Sequence, residues 1–116
     1  MFSLGSSHRY YLYRGSCDMR KSFDALCGLV HEMGRSATSG EVFVFLNRRS
    51  THLKLLHWER GGFVLYYKRL EEGTFPLPKG TDRDVLEWPQ LVLMVEGILV
   101  EKSRTSKRFA GGNVAV

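Results

Sequence analysis

The chain has 116 residues, of which 43% are apolar and 25% charged, with a formal net charge of +5. That length suits one domain able to bury a core without disulfide or metal staples, and the composition excludes wholesale disorder. Apolar runs such as Leu91 to Val95 fall far short of a membrane span, and the start Met1-Phe2-Ser3-Leu4-Gly5 lacks the layout of a targeting segment, so a cytoplasmic location is expected.

The segment from Arg9 to Arg14 (Arg-Tyr-Tyr-Leu-Tyr-Arg) is rich in aromatic, β-favouring residues and reads as a first strand, closed by Gly15. From Met19 to Met33 the apolar residues Met19, Phe23, Leu26, Cys27, Val30 and Met33 fall at helical spacing. Asp18 stands where an N-cap would, and Gly34 where a C-terminal stop would. Arg20 and Lys21 would then sit in the first helical turn, where the macrodipole disfavours cations. Either a phosphate at the helix end or a salt bridge to Asp18 or Asp24 accounts for that placement.

Three β-prone runs follow at residues 41–46, 52–58 and 63–70. Asn47-Arg48-Arg49-Ser50 links the first two, and Glu59-Arg60-Gly61-Gly62 supplies the glycines of a tight hairpin between the last two. They predict a three-strand antiparallel meander. Residues 71–84 contain Gly73, Pro76, Pro78 and Gly80 and read as a loop. Pro89 suits the first turn of a second, short helix whose apolar face is Leu91, Met94, Val95 and Ile98. The expected fold is α+β: an antiparallel sheet of about four strands in β-α-β-β-β order, packed by one main helix, with a short helix near the C-terminus. Residues 1–101 form the domain in this reading, and 102–116 a basic, flexible tail.

Charge is distributed in blocks. Residues 48–69 hold Arg48, Arg49, Lys54, Arg60, Lys68 and Arg69 against only Glu59, a balance of +5. Residues 70–101 carry two basic and seven acidic groups, a balance of −5. The basic block is interleaved with Trp58, Phe63, Tyr66 and Tyr67, and strands bearing Arg and Lys can contact phosphates. Solvated charges that keep an edge strand from aggregating have the same composition. Strand alternation places Tyr66 and Lys68 on one face, with Tyr67 and Arg69 on the other. The acidic block, with Glu71, Glu72 and Trp88, is either a second surface suited to a protein partner or an internal counterweight to the basic one.

No catalytic constellation is visible. His8, His31, His52 and His57 are scattered, and the chain has no HExxH, Gly-x-Ser-x-Gly or P-loop pattern. Asp18, Asp24, Asp82 and Asp84 qualify as metal ligands by residue type alone. Cys17 and Cys27 lack zinc-ligand spacing and read as free thiols. No cofactor or metal is implied, and a non-enzymatic role is expected.

Four separated blocks carry a family resemblance. They are Asp18-Met19-Arg20-Lys21-Ser22-Phe23-Asp24-Ala25-Leu26, then Val44-Phe45-Leu46-Asn47-Arg48-Arg49, then Lys54-Leu55-Leu56-His57-Trp58-Glu59, and Gly62 through Glu71. In this order they resemble the small accessory proteins encoded by the second open reading frame of insertion sequences of the sixty-six family. Those proteins are distinct from the RNA-guided nuclease with which they share the name TnpB. Ser22 and Ala25 stand where the family usually has glycine. The resemblance implies a role in DNA transposition beside a separately encoded transposase that holds the catalytic carboxylates, and it transfers no active site. Two readings follow. One is a DNA-binding module that meets the element ends through Arg20, Lys21, Arg48, Arg49, Lys54, Lys68 and Arg69. The other is an adaptor that docks the transposase through Glu71, Glu72 and Trp88. The sequence leaves the oligomeric state open.

Overall fold

The computed structural model describes residues 4–77 and 84–96. In chain order the elements are β1 (Tyr10–Leu12), α1 (Phe23–Glu32), β2 (Val42–Leu46), β3 (His52–Glu59), β4 (Gly62–Arg69), β5 (Val85–Leu86) and α2 (Trp88–Glu96). The strands form one five-stranded sheet in the order β4-β3-β2-β1-β5.

The meander β2-β3-β4 is antiparallel as expected, with Val42 opposite His57 and Leu56 opposite Leu65. Arg60 and Gly61 turn the β3-β4 hairpin with φ of 53° and 81°. Two successive positive φ values give the turn whose twist matches that of the flanking strands, and glycine takes such a φ without strain. The sheet is mainly antiparallel, with one parallel pair: β1 runs parallel to β2, with Tyr10 opposite Val42. Parallel neighbours need a crossover, and α1 with its flanking loops supplies it. Beyond the four expected strands the sheet gains β5, which pairs antiparallel to β1. Its two residues are too few to carry a periodic signal.

Both faces of the sheet are covered, so the central strand β2 is buried at every position rather than alternating. On one face Tyr10, Val42, Val44, Leu53 and Leu55 meet Leu91, Met94 and Val95 of α2, together with Phe75. On the other face Tyr11, Phe43, Phe45 and Leu56 meet Leu26, Leu29 and Val30 of α1. Burying each such side chain contributes about 1.5–3 kcal/mol.

The main helix is shorter than its apolar spacing predicts. It begins at Phe23, with Ser22 as an extended N-cap residue that makes no side-chain capping bond. Residues 18–21 instead form a turn, in which the Lys21 amide donates to the Asp18 carbonyl at 3.0 Å. Arg20 and Lys21 therefore precede the helix, and Asp18 does not cap it. The C-terminal end is as expected: Gly34 takes φ of 77° just after Met33. Ile98, Asp82 and the 102–116 tail lie outside the described residues.

Candidate functional site

The β2-β3 turn sits at one end of the sheet, and Asn47 builds it. The Asn47 side-chain oxygen accepts from the amides of Thr51 at 2.9 Å and His52 at 3.0 Å. Its side-chain nitrogen donates to the Thr51 hydroxyl at 3.0 Å, and its carbonyl accepts the Ser50 amide at 3.1 Å. Ser50 adopts φ of 58° to close the turn. With its backbone groups satisfied locally, the turn holds Arg48 and Arg49 out, and both are exposed.

The loop after β1 runs beside this turn. The Tyr13 amide donates to the Val44 carbonyl and the Cys17 amide to the Leu46 carbonyl, both at 2.9 Å. Residues 16–19 and Lys21 therefore face Asn47, Arg48, Arg49 and His52 across an open depression of about 520 Å³. Its charged lining is Lys21, Arg48, Arg49 and the carboxylate of Asp18. That carboxylate is committed elsewhere: Arg20 clasps it through Nε at 3.0 Å and the guanidinium at 2.6 Å, and the Arg20 amide adds a bond of 2.9 Å. The side-chain bond first, then the amide bond, hold its carboxyl well below the usual range.

Lys54 departs from its expected role. It is only 4% exposed. Its ammonium donates to the carbonyls of Met19 at 2.8 Å and Lys21 at 2.7 Å, and it lies 4.6 Å from the centre of the Tyr67 ring. A ligand in solution cannot reach it. Among the described residues no carboxylate pairs with it. A buried cation neutralised only by carbonyl dipoles and a ring face keeps a field that bulk salt screens weakly. Cys17 lies within that field. Burial pushes its thiol up, and the charges of Lys54 and Lys21 offset only part of the shift, so Cys17 is no activated nucleophile.

Of the other cations, Lys68 points to the opposite sheet face, where its ammonium donates to the Val95 carbonyl at 2.8 Å. Such a cation suits the C-terminal part of α2. Arg69 lies opposite His52 in the ladder, at the same end of the sheet as the β2-β3 turn, and bonds Glu71 at 2.9 Å. The structure thus brings Lys21, Arg48 and Arg49 together, keeps Arg20 and Arg69 nearby but paired, and removes Lys54 and Lys68. Asn47 and His52 were missed. The signal for Asn47 was available, because Asn readily bonds the backbone of a turn.

Glu71 and Trp88 of the expected partner surface lie apart. Glu71 pairs with Arg69 beside β4, whereas the half-buried Trp88 ring lies 5.7 Å from that of Tyr10 in β1. Strands β3 and β2 separate the two. The candidate metal carboxylates are also dispersed: Asp18 pairs with Arg20 and Asp84 with Arg14, while Asp24 lies in the first turn of α1. Among the described residues no three His, Cys, Asp or Glu side chains gather, and no helix is long and apolar enough to cross a membrane.

The family described as "IS66 Orf2 like protein" matches residues 8–105. Two relatives from Sinorhizobium fredii are similar in sequence. The uncharacterized protein y4hO is 31% identical over 100 residues, covering 84% of this chain and 87% of its own length. The uncharacterized protein y4jC is 30% identical over 83 residues, covering 70% of this chain and 71% of its own. No solved structure matches the chain.

Proposed function

Since the chain belongs to the IS66 Orf2-like family, we propose that it is a non-catalytic accessory protein of transposition that holds DNA phosphates at the basic end of its sheet. The observation that carries this reading is the convergence of Lys21, Arg48 and Arg49 on one depression where the lining carboxylate of Asp18 is already bound to Arg20. Two arginines on a stapled turn and a lysine on a pinned loop present cations with little further ordering to lose on binding. Among the described residues no groove-sized element projects from this end, so contact is to the phosphate backbone and specificity for sequence is weak. Element ends are then selected together with the separately encoded transposase, the partner in this proposal.

The test is binding of element-end and unrelated duplexes across a salt series. With about three phosphates neutralised, log K should fall against log salt with a slope of about −3, at roughly 0.9 per phosphate. Replacing Arg48 and Arg49 together by Ala should flatten the slope by about 2. An unchanged slope in the double variant would refute the reading.

A further inference from the structure

The two edges of the sheet are built differently. One is β5, two residues long, with Asp84 before it and Glu87 and Pro89 after it. Short length, charge and proline are the usual means of keeping an edge from pairing. The other is β4, eight residues long, whose register with β3 runs from Gly62 to Arg69 without a bulge. It contains no proline, and its only charges are Lys68 and Arg69. The Lys68 ammonium is turned to Val95 on one face, and Arg69 is bonded to Glu71. From Gly62 to Tyr67 the strand carries neither a charge nor a proline to guard the edge.

The register also fixes which backbone groups face outward. The Leu70 amide donates to the Thr51 carbonyl at 2.9 Å. Bonded and non-bonded pairs alternate along an antiparallel ladder. Lys68, Tyr66, Val64 and Gly62 therefore bond β3, while Phe63, Leu65, Tyr67 and Arg69 direct N–H and C=O away from the sheet. The side chains of Phe63, Val64 and Leu65 are only half-buried, and Tyr67 is 51% exposed.

We infer that this edge binds the β4 edge of a second copy of the chain, antiparallel, across a two-fold axis at Tyr66. In that register Leu65 pairs with Tyr67 and Phe63 with Arg69, so all four outward residues on each strand exchange backbone bonds. A second copy fits because the strand complements itself. Its two cations lie at one end, so antiparallel pairing sets Arg69 against Phe63 and Lys68 against Val64. A parallel copy would stack the cations on one another. Arginine over a phenylalanine ring is itself attractive. The basic depressions then lie at opposite ends of the paired sheet. The inference does not depend on their binding DNA.

The experiment is sedimentation of the full chain across a concentration series, without DNA. The expected result is a monomer–dimer equilibrium that Tyr67→Pro shifts to monomer with an unchanged circular dichroism spectrum, because the Tyr67 amide takes no part in the β3 ladder. Tyr66→Cys should form an intermolecular disulfide on mild oxidation, since non-bonded pairs bring Cβ atoms close. Tyr67→Cys, two positions out of register with itself, should not. A chain that stays monomeric at all concentrations, or a dimer that survives Tyr67→Pro while Tyr66→Cys fails to cross-link, would overturn the inference. So would a monomer whose capture of the transposase is lost in Tyr67→Pro, which would give the edge to that partner instead. Salt slopes of DNA binding are read separately, so either proposal can fail alone.

Discussion

The ammonium of Lys54 donates to the main-chain carbonyl of Lys21 at 2.7 Å, so a buried lysine fixes the backbone of a partly exposed one. In a regular helix the carbonyls of Met19 and Lys21 would accept amides four residues on. Here they turn to Lys54, and α1 starts only at Phe23. The bond that shortens the helix is thus the bond that sets Lys21 beside Arg48.

Lys54→Met should therefore act on both stability and binding. Methionine fills the volume and removes the cost of burying a charge. It leaves two carbonyls without their donor, at about 1–3 kcal/mol each when they stay dry. The opposing terms leave a net loss on the order of 1–3 kcal/mol, measurable by urea denaturation. DNA affinity should fall further than in Lys21→Ala, because the loop and the buried charge are lost together. Lys54→Arg, which keeps the charge and alters the geometry, separates the two contributions.

Much of this was legible in the sequence, for reasons particular residues make plain. Val-Phe-Val-Phe-Leu at 42–46 admits little except a buried strand, and the glycines Gly61 and Gly62 mark a hairpin, although its positive φ values fall at Arg60 and Gly61. Arg48 and Arg49 could be placed at a sheet tip by position alone. Asp18 was misleading because one side chain serves either as a helix cap or as the anchor of a turn. The group that decides between them is Lys54, 35 positions from Met19. Lys54 itself alternates in step with Leu56 on an inner face, so its burial was within reach of a period-two reading. Nothing in the sequence marks the parallel pairing of β1 with β2, which depends on where α1 lays the returning chain.

The acid limb of the stability profile should contain Asp18. Its carboxyl is held below the ordinary range by Arg20, so the folded state binds the proton more weakly than the unfolded chain does. The contribution is then present above the unfolded value near about 4 and is lost as pH falls through the lower folded value. Thermal melts of the parent and of Asp18→Asn should diverge at neutral pH and converge on acidification. Parallel curves would place the Asp18–Arg20 pair outside the stability balance.

Reversing Glu71 and Glu72 together to Lys tests what the acidic stretch does. Glu71 is the ion-pair partner of Arg69 at the basic end, and both side chains are exposed, so the fold should lose little. Freed from its carboxylate and joined by two new cations, Arg69 should add to the positive field there. The double variant should bind DNA more tightly at low salt and with a steeper salt slope. Pull-down of the transposase with the same variant, beside Trp88→Ala, reads the adaptor role. Because Glu71 and Trp88 lie three strands apart in the sheet, a partner that touches one need not touch the other, and the two variants should differ.

The sharpest test of the basic end compares cations that composition alone treats as equal. Lys21 lines the depression, and its loop is pinned, so Lys21→Ala should flatten the salt slope by about 1. Arg20 is exposed too, but its guanidinium is spent on Asp18. Removing it deletes a cation and frees an anion beside the depression. Arg20→Ala should thus weaken binding at low salt by repulsion from Asp18, and Arg20→Ala with Asp18→Ala should restore most of the loss. Lys68 lies on the other sheet face with its ammonium on Val95, so Lys68→Ala should leave affinity and slope at parental values while costing some stability. All four variants can be measured in one salt series against the same duplex. If Lys68→Ala weakened binding as much as Lys21→Ala, charge would be acting without regard to place, and the depression would lose its claim to be the site. If Lys21→Ala alone changed the slope, the phosphates would be fixed at the end of the sheet where β2 turns into β3.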